Sequence, residues 1–168
     1  MNYFQQTILA IAPGKREIGV AVFDGSDLIY ASVKTLRNRA STPALLKEIT
    51  SVLQKVFDGF PIRIVVIKEI SPYQRLSADI EIITRHIKYE LSKNGFEVAE
   101  ITLDQIKSVL CGNKKATEKK AFQSLLSSYP ELEKYWNRPN KWQNDYYAFL
   151  FSAVAVGAVY LKTLSEND

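Results

Sequence analysis

Apolar residues recur along this chain at two spacings, and each spacing predicts a different kind of element. Short apolar runs predict strands, and three of them come first, separated by a Pro-Gly-Lys turn and an Asp-Gly-Ser-Asp hairpin. Apolar residues at every third or fourth position predict helices, the first capped by Ser41 with Pro43 in its first turn. The predicted strands cover residues 7–11, 17–23, 28–35, 62–67 and 96–101, and the predicted helices cover 42–57, 75–93, 102–110, 116–128 and 145–162.

This order of elements, βββαβαβααα, predicts an α/β fold. Three antiparallel strands, followed by two strands reached through helices, give a five-stranded mixed sheet with helices on both faces. The arrangement resembles the ribonuclease H-like architecture, as a single domain over residues 1–168. A polar, aromatic stretch over residues 130–143 is predicted to be a long loop. The same architecture hosts nucleases, ATPases and binding modules, so function has to come from the site residues.

Composition indicates which cellular compartment and which kinds of site are expected for this protein. The chain has 168 residues with one cysteine and one histidine, which excludes an internal disulfide and argues against a zinc site. The first residues lack the basic and small-residue pattern of a secretion signal, and the long apolar run over residues 148–161 is shorter than a membrane span. We therefore expect a cytoplasmic protein with no membrane partner.

Positive charge is concentrated in one segment of the chain. Five lysines and one acid, Glu118, lie between residues 107 and 120, and their net charge of +4 equals that of the whole chain. The lysines are Lys107, Lys114, Lys115, Lys119 and Lys120. Such a segment is either an ordinary solvated surface or a binding site for phosphates.

Two stretches of the sequence resemble the RuvC family of Holliday junction resolvases. Residues 9–14 read Leu-Ala-Ile-Ala-Pro-Gly and residues 19–22 read Gly-Val-Ala-Val, similar to the family's hydrophobic-Gly-Ile-Asp-Pro-Gly turn and following strand. Lys107, residues 112–117 and Lys119 are similar to the family's lysine, spacer and Gly-x-Gly-Arg-Ala-x-Lys segment, with Lys114 in place of the second glycine. With the element order and the closing apolar helix, the resemblance covers nearly the whole chain.

This resemblance implies a metal site built from carboxylates of the first strand, the fourth strand and the last helix. Two Mg²⁺ ions held there would activate water and stabilise the leaving oxygen. The matching positions are Ala12, Lys68, Asp145 and Ala148, so Asp145 is the one retained acid and the other three positions are degenerate. A lysine within about 4 Å of a dication costs several kcal/mol even at an effective dielectric constant of about 20. We therefore predict a catalytically degenerate chain without a metal cofactor.

An active nuclease with a rewired site is the alternative. Glu69, next to Lys68, is the candidate for a displaced acid, together with Asp145 and either Asp79 or Glu81. Mg²⁺ or Mn²⁺ would then be the cofactor, with Asp145 as a metal ligand. Because strand side chains alternate between faces, Glu69 should point away from Lys68 unless a bulge or the strand end re-aims it.

The resemblance also implies nucleic acid as the partner, with branched or structured DNA first and RNA as the alternative. The candidate phosphate-binding residues are Lys15, Arg16, Lys107, Lys114, Lys115, Lys119 and Lys120. The aromatic residues near the last helix either stack on bases or anchor a loop to the core; they are Tyr135, Trp136, Trp142, Tyr146 and Tyr147. The helix over residues 75–93 falls where RuvC-like proteins dimerise, which implies a homodimer with Ile82 and Tyr89 at its surface.

Two further functions are compatible with the sequence. Residues 14–21, Gly-Lys-Arg-Glu-Ile-Gly-Val-Ala, also resemble the turn of the YqgF family of RNA-processing nuclease relatives, although that family is shorter and lacks the helical C-terminal part. A protein-interaction module is the other alternative, and nucleic-acid binding at low salt separates it from the rest.

Overall fold

Five strands form one mixed sheet in the order β3-β2-β1-β4-β5. The computed structural model describes residues 6–38, 40–71 and 78–167. The strands are β1 (Thr7–Pro13), β2 (Glu17–Asp24), β3 (Asp27–Thr35), β4 (Ile64–Lys68) and β5 (Val98–Ile101). β1, β2 and β3 pair as antiparallel neighbours, and β4 runs parallel to both β1 and β5. The predicted α/β architecture and its five-stranded mixed sheet are confirmed.

Within the described residues, five α-helices and one 3-10 helix surround this sheet. They are α1 (Thr42–Gly59), α2 (Ala78–Lys93), α3 (Leu103–Cys111), α4 (Glu118–Ser128), the 3-10 helix (Pro130–Tyr135) and α5 (Lys141–Glu166). The strands and the helices α1, α3 and α4 agree with their predicted bounds within two residues at each end. The predicted start of α2 at Arg75 lies outside the described residues.

The sheet has a core on each face because side chains of successive strand residues point to opposite sides. Ile8, Ala10 and Ala12 of β1 pack on the face covered by α3, α4 and α5. Leu9 and Ile11 pack on the other face, with residues of α1 and α2. All seven residues of β1 are buried, as expected for the central strand of a sheet covered on both sides.

Side-chain hydrogen bonds of Ser41 and Thr117 cap the first turns of α1 and α4. The Ser41 hydroxyl accepts a hydrogen bond from the Ala44 N–H at 3.2 Å, at the start of α1. Thr117 caps α4 in the same way, accepting from the Lys120 N–H at 3.1 Å. These bonds satisfy backbone donors that have no partner in the first turn of a helix.

The region before and at the start of α5 corrects the prediction. Residues 130–135 form a 3-10 helix rather than a loop, and Leu132 within it is only 1% exposed. α5 begins at Lys141, one turn before the predicted start at Asp145, where the Gln143 side-chain oxygen accepts from the Asn140 N–H at 3.4 Å. Asp145 therefore lies in the second turn of α5. Burial of Leu132 stabilises the 3-10 helix, and the Asn140–Gln143 contact stabilises the first turn of α5. The polar composition of residues 130–143 indicates neither of them.

α5 is the central helix of its face of the sheet. By length and composition it is apolar enough to cross a membrane. All ten residues from 150 to 159 are buried, and most of them belong to the core between α5 and the sheet. At Gly19 of β2 an added Cβ would lie 1.9 Å from the Phe149 backbone oxygen, so the missing side chain lets α5 approach the strand closely.

Candidate nucleic-acid interface

The carboxyl ends of β1 and β4 lie side by side at one edge of the sheet. The two strands are parallel, and Ile11 pairs with Ile67 at the end of their shared register. Ala12 and Lys68 come directly after this pair, on the face covered by α5, since side-chain directions alternate along a strand. The tertiary structure thus brings together two of the positions that the RuvC resemblance assigns to carboxylates.

Ala12 is part of the apolar core. Its exposed fraction is 1%, and it pairs across the sheet with Gly19, against which the backbone of Phe149 packs. The Phe149 ring covers the following turn, because an added Cβ at Gly14 would lie 2.3 Å from it. The end of β1 is therefore closed by α5 with an aromatic ring.

Lys68 forms an ion pair with Glu118, the first residue of α4. The Lys68 Nζ lies 3.8 Å from the Glu118 Oε2, and the two side chains are 16% and 40% exposed. This contact joins the end of β4 to the start of α4. From sequence, Glu118 is only the single acid among the lysines of a helix predicted to begin at residue 116; the structure makes Thr117 the cap and Glu118 the first helical residue.

The other candidate acids belong to three separate parts of the fold: α5, the residues after β4, and α2. Asp145 on α5 is 68% exposed, and its carboxylate lies 3.8 Å from the Lys141 Nζ. Glu69 follows β4, and its N–H donates to the Ile101 carbonyl at 2.8 Å. Asp79 and Glu81 lie in the first turn of α2, the helix that packs on the opposite face. Glu81 contacts Arg85 of the same helix at 3.1 Å.

Exposed basic side chains come from two segments next to this edge: the turn after β1, and the α3–α4 connection that leads to Glu118, the partner of Lys68. Lys15 and Arg16 are exposed in the turn after β1, and the loop from α3 into α4 exposes four more lysines. Among the described residues these six side chains make no ion pair, and we call them the basic rim: Lys15, Arg16, Lys114, Lys115, Lys119 and Lys120. Lys107, predicted with them, is half-buried on α3.

The α3–α4 loop is shaped by its own backbone bonds. Gly112 ends α3 in the left-handed region, with φ of 70°, a conformation that favours glycine. The Asn113 side chain accepts from the Lys115 N–H at 2.9 Å, and the Asn113 carbonyl accepts from the Ala116 N–H at 3.0 Å. The loop therefore presents Lys114 and Lys115 from a tight, hydrogen-bonded turn.

Comparison with solved structures identifies this arrangement. No family model matches the sequence, and no curated protein matches it by sequence. The structure of Thermus thermophilus RuvC in complex with a Holliday junction substrate superposes with a TM-score of 0.72 at 16% identity, covering 92% of each chain. This chain has the RuvC-like fold. A second Thermus thermophilus RuvC structure gives a TM-score of 0.70 at 15% identity, covering 94% of this chain and 96% of that chain.

A eukaryotic structure shares the RuvC-like fold with this chain. The yeast mitochondrial Holliday junction resolvase Ydc2 superposes with a TM-score of 0.68 at 9% identity, covering 95% of this chain and 79% of that chain. The resemblance inferred from residues 9–22 and 107–119 is thus confirmed at the level of the fold, although the identities are low.

The donor set at the edge of this RuvC-like fold does not suit a two-metal centre. In such a centre several carboxylates neutralise two dications. Here Ala12 and Ala148 have no ligand atom, and Lys68 brings a positive charge. Within residues 6–38, 40–71 and 78–167, no three His, Cys, Asp or Glu side chains come close enough to hold a metal ion.

The aromatic residues near α5 mostly pack on one another. The Tyr135 and Tyr147 rings lie 4.8 Å apart, and the Trp136 ring meets Phe151 edge-on at 5.3 Å. The Tyr146 hydroxyl donates to the Val33 carbonyl at 3.2 Å, which ties α5 to β3. Trp142 differs from them because it is 66% exposed. Anchoring thus accounts for most of these side chains.

Proposed function

We propose that this chain binds branched nucleic acid, DNA first, through its basic rim and without two-metal cleavage chemistry. The observation that carries the proposal is the Lys68–Glu118 ion pair at the edge where the RuvC resemblance places a catalytic glutamate. Lys68 occupies this position with an ammonium group that is already paired with Glu118, so it provides no carboxylate for a metal ion. A phosphate approaching this edge would therefore meet the cations of the basic rim, which make no ion pair among the described residues, instead of Mg²⁺.

Electrostatics favours this reading over a metal-dependent one. A single positive charge about 4 Å from a dication costs several kcal/mol at an effective dielectric constant of about 20. The six side chains of the basic rim lie at the same edge and are free to contact phosphates. Phosphate contacts of this kind release counterions and supply most sequence-independent affinity.

The choice of branched DNA rests on the structural neighbours. One of them is a RuvC in complex with a Holliday junction substrate, and another is named a Holliday junction resolvase. Their folds match over more than nine-tenths of this chain. Similarity of fold and the presence of the basic rim support the same class of ligand for this protein.

The test is a binding series with four-way junction, duplex and single-stranded DNA, and the corresponding RNA, in EDTA and in Mn²⁺. We expect the junction to bind in EDTA, with a slope of log K against log salt up to about −5 for six phosphate contacts. Lys114→Gln combined with Lys115→Gln should reduce the magnitude of that slope by about 2. The matched control, Lys47→Gln with Lys55→Gln, changes two exposed lysines on α1 at the other face and should leave it unchanged.

Three outcomes would overturn the proposal. Absence of binding at low salt would leave the protein-interaction module as the better hypothesis. Binding that requires a divalent cation would contradict the role given to Lys68. Cleavage of the junction in Mn²⁺ that Asp145→Asn abolishes would establish the rewired nuclease.

We also propose that α2 mediates a homodimer. Ile82 and Tyr89 are 37% and 60% exposed, and their seven-residue spacing places them on one stripe of the helix. Sedimentation of the protein with Ile82→Asp and Tyr89→Asp tests this directly. A wild-type chain that sediments as a monomer at tens of micromolar would refute it.

A further inference from the structure

A small aromatic pocket lies beside the basic rim, between α4, the 3-10 helix and α5. Its volume is about 300 Å³. Ring-bearing side chains from all three elements form its walls, with a lysine and an asparagine at its rim: Phe122, Tyr135, Trp136, Phe151, Lys119 and Asn137. This volume is at the lower end of the range for small-molecule sites, about 300–1,000 Å³. The pocket therefore suits one planar ring system.

The pocket walls are held in place by other aromatic rings. Phe151 stacks on Phe122 at 5.8 Å and meets Trp136 edge-on at 5.3 Å. Tyr135 is supported from behind by Tyr147 at 4.8 Å. Because these contacts fix the rings before any ligand arrives, little conformational entropy is lost on binding.

The segment that joins the 3-10 helix to α5 is fixed by Asn144. Its side-chain oxygen accepts from the Arg138 N–H at 2.8 Å, and its side-chain nitrogen donates to the Arg138 carbonyl at 2.9 Å. The preceding residue, Asn137, adopts a left-handed backbone with φ of 52°. In the part of the chain that the structure describes, the Asn137 carboxamide has no hydrogen-bond partner. It can therefore donate to and accept from a ligand.

Charge at the rim indicates which planar ligand fits. Glu118 and Lys119 both line the pocket, but Glu118 is paired with Lys68, whereas Lys119 belongs to the basic rim. The pocket therefore lies beside the surface proposed to contact phosphates. A nucleotide combines the two chemistries, with an anionic phosphate for Lys119 and an aromatic base for the rings. Stacking of bases on aromatic side chains is tolerant of sequence because every base has a π-face.

We propose that this pocket receives one unstacked nucleobase of the bound nucleic acid. The inference rests on the nucleic-acid binding proposed above. The base lies among the rings of Phe122, Tyr135 and Trp136, its edge meets the Asn137 carboxamide, and its phosphate contacts Lys119. Unstacking costs the least for a base that is mismatched or already single-stranded, so we expect the received base to lie at the branch point rather than within a duplex arm.

The test uses photocross-linking with 5-iodouracil placed in turn at each position around the crossover of a four-way junction. We expect one or two positions to cross-link to Tyr135 or Trp136, identified by mass spectrometry of the peptides. Ala148→Leu narrows the pocket from α5, where Ala148 contributes to the lining. It should abolish that cross-link and weaken binding roughly 5- to 150-fold, with the salt slope unchanged.

The matched control is Ala44→Leu, the same change at a half-buried position of α1, which should leave cross-links and affinity as they are. Asn137→Gly removes the free carboxamide at a backbone conformation that glycine accepts, and should lower the cross-link yield even if Ala148→Leu does not fold. Junction binding with cross-links only elsewhere would overturn the pocket and leave the proposed function standing. Failure of every oligonucleotide to bind would overturn both.

Discussion

The ion pair between Lys68 and Glu118 makes a quantitative prediction about stability. It joins β4 to α4, two elements whose buried residues belong to the same hydrophobic core. We expect the two side chains to be energetically coupled. Their coupling can be measured with a double-mutant cycle of Lys68→Met, Glu118→Gln and the two changes together, in which methionine keeps the apolar stem of the lysine.

The expected magnitude follows from the geometry. Two unit charges 3.8 Å apart attract by about 4 kcal/mol at an effective dielectric constant of about 20. Because the Glu118 side chain is 40% exposed, solvent screening reduces this value. We therefore expect a coupling energy of about 1–2 kcal/mol. The favourable position of Glu118 at a helix N-terminus affects Glu118→Gln with or without Lys68, so the cycle cancels it.

The assay is urea denaturation of the four proteins at pH 7 and low salt. In a chain of this size each kcal/mol corresponds to about 2–4 °C in Tm, so thermal unfolding gives an independent estimate. A coupling energy within about 0.3 kcal/mol of zero would refute the reasoning, because it would mean that the two changes are independent. The charge-exchanged protein, with Lys68→Glu and Glu118→Lys, should then be no more stable than the sum of its single changes predicts.

Three further predictions concern the core. Ser152→Ala removes a buried hydroxyl that has no hydrogen-bond partner among the described residues, so urea denaturation should show unchanged or higher stability, by up to about 1 kcal/mol. Gly19→Ala would bring a methyl group within 1.9 Å of the Phe149 backbone oxygen and should destabilise by about 3 kcal/mol or more, whereas Gly59→Ala, with open space around its Cβ, should be neutral or slightly stabilising. Burial, with neighbouring carboxylates, raises the pKa of the Tyr129 phenol above its ordinary value of 10.0. Stability contributed by the neutral phenol is therefore complete below pH 10 and is lost as pH rises through the raised pKa, which ultraviolet titration during alkaline unfolding checks.

Helix starts and strand identities follow from the sequence because their causes are local. Ser41 and Thr117 each supply a hydroxyl within three residues of the N–H that it caps. The unbroken apolar run of β1 is explained by burial on both faces of the sheet. Such signals survive at low identity, so the resemblance of residues 9–22 and 107–119 to the RuvC family, together with the element order, predicted a fold shared at 9–16% identity.

The start of α5 shows where local signals fail. Residues 130–143 are polar and rich in aromatics, which is typical of a loop, yet they contain a 3-10 helix and the first turn of α5. Burial of Leu132 stabilises the 3-10 helix, and the residues that bury it come from other elements of the fold. Asp145 consequently lies one turn inside the helix.

The sequence by itself determined the order of the elements, the two periodicities of its apolar residues and the residue types at Ala12, Lys68 and Ala148. Only the tertiary structure placed Glu118 beside Lys68, fifty positions away in the chain, and closed the end of β1 with Phe149. It also formed the aromatic pocket from three separate elements. The reason is physical: capping and periodicity depend on neighbours in sequence, whereas these contacts depend on how each helix is rotated and seated on the sheet, which the whole core fixes together.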